Sequence, residues 1–292
     1  MAHHPAKRER VAIVVDSAAS LPTDIAQQSL LWTVPLNLTM GSRSYLDGVS
    51  VSPTEFYRML RDSADLPTTA APTPASYLQA FREAAHWAGS ILCLTVASKF
   101  SASFDSATAA VHLAKDAIPD VAITLLDSGT AAGGEGLVAL EALRTASQGG
   151  DLDGVVGAAH KVVERVTVIA FLDTLYYLWK GGRVPRIAHV ATSALRIKPI
   201  FELSQGEVRT IARPRTRSRA MARLVGLMRE RVAGRHGINA IVMHADAEAA
   251  ANDVRRRIEL DIDCEQLSVS EFTPVLGAHI GPGLVGIAFW TR

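Results

Sequence analysis

The chain has 292 residues, of which 48% are hydrophobic and 20% charged, and its 30 basic residues almost balance 29 acidic ones. A hydrophobic fraction of this size supports a packed core and excludes a disordered chain, and the length allows one large domain or two ordinary ones. The formal net charge of +1 argues against a protein built mainly to neutralise phosphates or anionic lipid.

The cysteine and histidine content argues against a disulfide framework or a metal centre. Cys93 and Cys264 are the only cysteines, and the nine histidines are scattered, so no zinc-ligand spacing exists. The apolar run Val11–Val15 is shorter than the hydrophobic region of a signal peptide, and no segment has the length of a membrane span. We therefore expect a soluble, cytoplasmic protein that holds no metal ion.

Short β-rich segments alternate with amphipathic helical segments along the chain. Ser52-Pro-Thr-Glu55 is a capping box with Pro at the first helical position, and Thr73-Pro74 repeats the cap. These starts predict helices over 53–63 and 74–88, and two more are predicted over 133–147 and 151–166. The predicted strands are Val11–Val15, Ile91–Val96, Ala122–Leu126, Thr167–Leu172, Ala240–His244 and Cys264–Val269.

The alternation of strands and helices is typical of the α/β class. Because a second series of strands begins at Thr167, we predict two α/β domains, residues 1–165 and 166–292. In the second domain, Arg196–Leu203 and Glu207–Arg213 flank Gln205-Gly206 and are predicted to form a β-hairpin.

Several catalytic motifs are missing from the sequence. It contains no G-x-x-x-x-G-K-[ST], no H-E-x-x-H and no G-x-S-x-G, which argues against a P-loop kinase, a zincin and a typical α/β-hydrolase. The segment Gly134–Ala139 matches G-x-G-x-x-A in form, but it does not follow its strand directly. Glycines that let a helix pack closely on a sheet explain it better than dinucleotide binding.

Residues 180–235 form a strongly basic run. They contain 14 Lys and Arg against three Glu, a local net charge of +11. Such a run can be a solvated face, or it can meet an acidic protein, a phosphorylated ligand or nucleic acid. Because Phe201 is the only aromatic residue in the run and no aromatic residues alternate with the charges, nucleic acid is the least favoured of these partners.

Polar residues follow several predicted strands and precede predicted helices. Open α/β sheets bind ligands beyond the carboxyl ends of their strands, and hydroxyls beside a helix N-terminus suit an anion such as a carboxylate. Ser98 is the strongest candidate, because it is expected at the start of a helix. Ordinary caps and turns remain the alternative for each group taken alone. The groups are Asp16-Ser17, Thr68–Thr73, Ser98–Ser101 and Asp127-Ser128.

The segment His279-Ile-Gly281-Pro-Gly283 lies between two apolar stretches. Its glycines and proline predict a rigid turn that holds the imidazole against a ligand, although a histidine bonded to a loop carbonyl fits the spacing equally well. A serine hydrolase with Ser98 as nucleophile and His279 as base is an alternative function. A regulatory binding module with a basic face is another.

The order of these motifs resembles the DegV family, whose bacterial members include the fatty-acid-binding subunits of fatty acid kinase. Asp16–Pro22 is similar to D-S-x-x-x-L-P, and Tyr45–Gly48 is similar to Y-x-D-G. Ala97–Phe104 resembles S-S-x-L-S-G-T-Y, and Lys180–Arg183 matches K-G-G-R. Further matches are Thr69–Thr73, Asp127-Ser128, Leu195–Pro199, Arg215 and His279–Gly283.

The resemblance implies two α/β domains that enclose a long-chain fatty acid, with Thr69, Ser98 and His279 binding its carboxylate. It implies a carrier without an ATP site, a catalytic residue or a cofactor. A fatty acid kinase would phosphorylate the bound carboxylate to an acyl phosphate used in phospholipid synthesis, with Arg183 at the mouth, and transient membrane contact is left open. We include Ser17, Lys99, Ser101, Ser128 and Gly281 in the ligand neighbourhood.

The sequence departs from the family pattern at two places. Ala70 and Ala71 replace the family's Ser and Gln, and Ala102-Ser103 replaces Gly-Thr. Both departures adjoin residues that the resemblance assigns to the carboxylate, so they bear on its geometry and on coupling to a kinase.

Overall fold

The computed structural model describes residues 9–22, 25, 28–63, 65–182 and 197–292. Its strands are β1 (Val11–Asp16), β2 (Leu31–Val34), β3 (Asn37–Met40), β4 (Arg43–Leu46), β5 (Thr68–Ala70), β6 (Ser90–Thr95), β7 (Ala122–Asp127), β8 (Thr167–Phe171), β9 (Ile200–Ser204), β10 (Glu207–Ala212), β11 (Ile238–His244), β12 (Cys264–Glu271) and β13 (Val285–Thr291). Its helices are α1 (Pro53–Asp62), α2 (Pro74–Ala85), α3 (Ser103–Ala117), α4 (Gly133–Ser147), α5 (Leu152–Arg165), α6 (Tyr176–Gly181), α7 (Arg217–Val232), α8 (Glu248–Asp261) and α9 (Pro274–Ile280).

The N-terminal part is built on a parallel four-stranded sheet in the order β2-β1-β6-β7. Every residue of β1 is buried, as expected for a central parallel strand covered on both faces. Because the strands are parallel, the loops that follow β1, β6 and β7 meet at one edge of the sheet. A separate antiparallel sheet in the order β4-β3-β5 carries Thr69 on its third strand.

The C-terminal part is built on a mixed six-stranded sheet in the order β10-β9-β8-β13-β11-β12. The strands pair antiparallel except for β11 and β12, which are parallel. All residues of β11 and β13 are buried, because helices or the N-terminal part cover both faces of the sheet at these central strands.

The helices divide the two parts into layers. Helices α2 and α3 cover one face of the N-terminal sheet, and α7 and α8 cover one face of the C-terminal sheet. Helices α4 and α5 lie between the sheets and pack on both of them. One continuous hydrophobic core therefore joins β1 and β6 through α4 to β8 and β11.

Most predicted elements are confirmed by the structure. The capping box at Ser52 is formed, with Ser52 Oγ accepting from Glu55 N and the Glu55 carboxylate accepting from Ser52 N. One expectation was wrong: Ser98–Ser101 does not start a helix, because α3 begins at Ser103. The boundary near residue 165 falls at the end of α5 and stays a prediction. Among the described residues, no helix is long and apolar enough to span a bilayer.

Candidate functional site

A cavity of about 480 Å³ lies where the two parts meet. The loops at the carboxyl edge of the N-terminal sheet form one wall, and β8, β9, β10 and β11 of the C-terminal sheet form the opposite wall. Helix α9 and the segment around Thr69 complete the lining. This position agrees with the rule that open α/β sheets bind ligands beyond the carboxyl ends of their strands.

The described lining is apolar apart from three residues. Thr69, Ser101 and His279 are the only residues with polar side chains among the described lining residues, and the rest are Ala, Val, Leu, Ile, Phe and Met. The Thr69 hydroxyl and His279 Nε2 are 2.7 Å apart and share a hydrogen bond. We call these three residues the polar end of the cavity. A cavity with this lining suits a ligand with a long apolar body and a small polar group.

Helix α9, which carries His279, is held by Asp47, a buried acid of the N-terminal part. Asp47 accepts a hydrogen bond from the Ser17 hydroxyl at 2.6 Å and one from Val275 N at 3.0 Å. The Ser17 hydroxyl in turn accepts from Leu36 N at 3.1 Å. Ser17 is thus a positioning residue rather than a lining residue, because both its bonds lead into the protein.

Two glycines let α9 approach its neighbours closely. A Cβ on Gly277 would lie 2.7 Å from the Tyr57 hydroxyl, and one on Gly281 would lie 2.1 Å from the Tyr177 ring. Gly281 also has φ +73°, which glycine adopts without strain. Gly281 therefore acts by fixing the orientation of α9 and His279.

Asp16 is a second buried acid beside the cavity. Its carboxylate accepts hydrogen bonds from Ala18 N and Val96 N, each at 3.0 Å. Burial raises its pKa to about 6, against the lowering effect of those two bonds, and burial also raises the pKa of Asp47. We call Asp16, Ser17 and Asp47 the carboxylate network; its bonds hold the backbone of Ala18, Val96 and Val275, which line the cavity.

Ser98 lies outside the cavity lining, which corrects its predicted place beside Thr69 and His279. Its hydroxyl donates to Asp127 at 2.6 Å, and its N–H donates to the same carboxylate. The reason is that the chain continues past Ser98 for four residues before α3 begins, which brings Ser101 to the cavity instead.

Lys99 and Ser128, which were also predicted near the ligand, lie outside the cavity lining as well. Lys99 is exposed and pairs with Glu207 on β10, at 2.5 Å. Ser128 is buried, and its hydroxyl bonds with the backbone of Thr130. Arg183 lies outside the described residues. The Ser98–His279 pair that a hydrolase would need is not formed, because Ser98 bonds with Asp127 and His279 with Thr69.

The structure also shows lining residues that sequence reasoning missed. Phe201, Leu203 and Val208 of the hairpin β9–β10 and Met243 of β11 form much of the C-terminal wall. The alternation of apolar residues in the hairpin was visible, but not the surface that it would face. The departures Ala70, Ala71 and Ala102 all line the cavity. Ala70 and Ala71 replace polar residues of the family pattern and make the wall beside Thr69 less polar, whereas Ala102 replaces a glycine.

The basic run is partly neutralised by its own Glu202 and Glu230 and by Asp173 and Asp261 from outside it. Six of its described cations have ion-pair partners: Lys198 and Arg217 with Asp173, Arg209 and Arg231 with Glu202, Arg223 with Glu230, and Arg229 with Asp261. Within the described ranges, no group of three or more His, Cys, Asp or Glu residues is arranged to hold a metal ion.

Comparison with known proteins identifies the family. The model described as "Uncharacterised protein, DegV family" matches residues 10–292. A DegV domain-containing protein of Streptomyces coelicolor is 32% identical over 284 residues, covering 97% of this chain and 99% of that protein. A structure described as fatty acid binding of a DegV family protein from Thermus thermophilus is 27% identical, with a TM-score of 0.89 over 97% of this chain and 100% of that one.

The fold is also shared with DegV, a fatty acid binding protein from Bacillus subtilis, at a TM-score of 0.85 and 24% identity. That alignment covers 97% of this chain and 99% of the Bacillus chain. Because the family model matches almost every residue and the fold agrees over the same span, the chain belongs to the DegV family.

Proposed function

We propose that the protein binds one long-chain fatty acid, with its acyl chain in the cavity and its carboxylate at the polar end. The observation that carries the proposal is the lining itself, whose described residues are apolar except for Thr69, Ser101 and His279. The Thermus relative with fatty acid binding shares this fold over almost the whole chain, which supports the same ligand class here.

The energetics favour an acyl chain. At about 0.8 kcal/mol per buried methylene, the roughly 14 methylenes of palmitate contribute on the order of 11 kcal/mol before the costs of binding. Burial of the chain therefore supplies most of the affinity. The polar end fixes the orientation, because a carboxylate taken out of water needs charge-assisted hydrogen bonds.

The polar end supplies donors without a fixed positive charge. In the proposal the Thr69 and Ser101 hydroxyls donate to the carboxylate, and His279 Nε2–H donates to Thr69 Oγ1 and so directs the Thr69 proton toward the ligand. Ser101 Oγ accepts from Ser103 N at 3.1 Å and lies 2.9 Å from Ser103 Oγ, and these two contacts fix the position of the oxygen. No Lys or Arg is among the described residues that line the cavity.

The finer proposal is that the bound carboxylate is presented to a partner kinase for acyl-phosphate formation. Hydroxyl donors leave a carboxylate oxygen available to attack a phosphoryl group, whereas a bidentate arginine would occupy both oxygens. Arg183 enters this proposal through its K-G-G-R motif alone. The Arg183→Ala variant is expected to retain lipid and to be phosphorylated more slowly by the kinase of the same bacterium. Loss of the lipid instead would contradict a role at the mouth.

Fatty acid binding is tested by denaturing the purified protein, extracting it with organic solvent and identifying the lipid by mass spectrometry. About one fatty acid per chain is expected. If the protein stays empty even after incubation with palmitate and with oleate, the proposal is wrong. Turnover of a chromogenic ester that depends on Ser98 would instead favour the hydrolase.

A further inference from the structure

The C-terminal wall of the cavity contains a row of four residues that face each other across neighbouring strands. Met243 of β11 pairs with Gly286 of β13, Gly286 pairs with Ala170 of β8, and Ala170 pairs with Phe201 of β9. Residues directly opposite each other in an antiparallel sheet point to the same face. We call this row the acyl strip; Met243, Ala170 and Phe201 line the cavity, and Gly286 has no side chain.

At Gly286, in the middle of the acyl strip, there is no room for a side chain. A Cβ on Gly286 would lie 2.8 Å from the Ala170 Cβ and 3.1 Å from the Met243 Cε. Ala170 is half-exposed to the cavity, whereas Met243 and Phe201 are buried. The strip is therefore a shallow trough between two large side chains.

Met243 bounds the trough on the β11 side and is held in place. It is fully buried, and its Sδ accepts a hydrogen bond from Gly133 N at the start of α4, at 3.1 Å. A Cβ on Gly133 would lie 2.8 Å from that sulfur. The thioether is thus wedged against α4 and cannot move away from the cavity in that direction.

The neighbouring row shows that the cavity ends at Met243. That row runs Ile241, Ala288, Val168 and Leu203 across the same strands. Val168 and Leu203 line the cavity, but Ile241 and Ala288 do not. Two rows line the cavity on the β8–β9 side, whereas Met243 alone lines it on β11.

We propose that the acyl strip determines which acyl chain the protein accepts, with Ala170 as the floor and Met243, whose Cε lies beside Gly286, as the end wall. The inference rests on the proposed function. A longer side chain at Ala170 takes space from the tail, and a shorter one at Met243 extends the cavity toward Gly133. The two changes are expected to shift the chain-length preference in opposite directions.

The test uses Ala170→Leu, Met243→Ala and the control Val242→Ala. Val242 adjoins Met243 and is equally buried, but it points to the opposite face, into the core under α7 and α8. Each protein is delipidated and offered an equimolar mixture of myristate, palmitate, stearate and arachidate, and the bound acids are measured by mass spectrometry. If a variant fails to fold, Ala170→Val and Met243→Val give the same comparison with smaller changes of volume.

Relative to wild type, the stearate-to-palmitate ratio should rise about tenfold in Met243→Ala and fall about tenfold in Ala170→Leu. Stearate and palmitate differ by two methylenes, and about tenfold is the low end of what even one methylene contributes in an apolar pocket. The Val242→Ala profile should match wild type. A wild-type profile in both strip variants, or a shift in the same direction, overturns the inference while leaving fatty acid binding intact. A wild-type protein that binds none of the four acids overturns both proposals.

Discussion

The polar end and the carboxylate network lie beside the same cavity, and they differ in the direction of their hydrogen bonds. The side chains of Thr69 and His279 bond with each other at the cavity surface. The carboxylates of Asp16 and Asp47 are buried and accept from backbone N–H groups of the wall. The polar end can therefore meet a ligand, whereas the network shapes the wall that encloses it.

Polarity alone does not mark a ligand site in this protein. Asp16-Ser17 and Asp47 belong to conspicuous sequence motifs, yet their hydrogen bonds lead into the protein rather than into the cavity. An anionic ligand would also be repelled by ionised carboxylates beside it. The comparison predicts that changes in the network alter stability, and that changes in the polar end alter binding.

The largest expected effect is on stability, from Asp47→Ala. The substitution leaves the Ser17 hydroxyl and Val275 N without their acceptor, and each buried unsatisfied donor costs about 1–3 kcal/mol. We expect the free energy of unfolding in urea to fall by about 4 kcal/mol. Asp65→Ala is the control, because Asp65 is exposed, and it should change stability by less than about 0.5 kcal/mol. A similar small change for Asp47→Ala would mean that the network does not hold α9.

The next effect is a dependence of stability on pH that originates in Asp16. Its pKa is raised from 3.8 to about 6 in the folded protein, so the folded state binds the proton more tightly than the unfolded state. The contribution of Asp16 to stability is complete below pH 4 and is lost as the pH rises through about 6. By linkage the loss is on the order of 3 kcal/mol.

The measurement is the difference in unfolding free energy between wild type and Asp16→Asn across that pH range. Stability of the wild type should decline relative to the variant as the pH rises from about 4 to about 6. Because the comparison is a difference, titration of the other carboxyl groups cancels to first order. A difference that stays constant, or that moves the opposite way, contradicts the assignment to Asp16.

The smallest expected effect separates two serines three positions apart. Ser101→Ala should weaken palmitate binding about tenfold. One hydrogen bond to a charged group contributes about 1.5–3 kcal/mol, and the lower end of that range corresponds to about a tenfold change in affinity. Ser98→Ala should bind palmitate as the wild type does, because Ser98 bonds with Asp127 outside the cavity. Isothermal titration with delipidated proteins measures both affinities. A larger loss in Ser98→Ala would restore the carboxylate role predicted from the sequence.

The secondary structure was accessible from the sequence because it depends on local chemistry. The capping box at Ser52 forms between residues only three positions apart. The prolines at the first helical positions of α1 and α2 suit those positions because no backbone donor is needed there. The parallel strand β1 was visible as a continuous apolar run, because both of its faces are covered. Such signals do not depend on how distant segments meet.

Only part of the candidate site could be predicted from the sequence. Thr69 and His279 were predicted together through the family resemblance, and the structure joins them although 210 positions separate them along the chain. Ser98 and Ser101 could not be ranked correctly, because both follow β6. The choice between them depends on where α3 begins and on the acceptor that Asp127 provides from β7.

The sequence by itself determined the α/β class, the main strands and helices, and the family-like order of the motifs. Periodicity, capping and turn chemistry act between residues that are close in the chain. Only the tertiary structure decided which polar residues face the cavity and which support its wall. It also placed Met243, Gly286, Ala170 and Phe201 in one row, because strand register brings together residues from four distant segments.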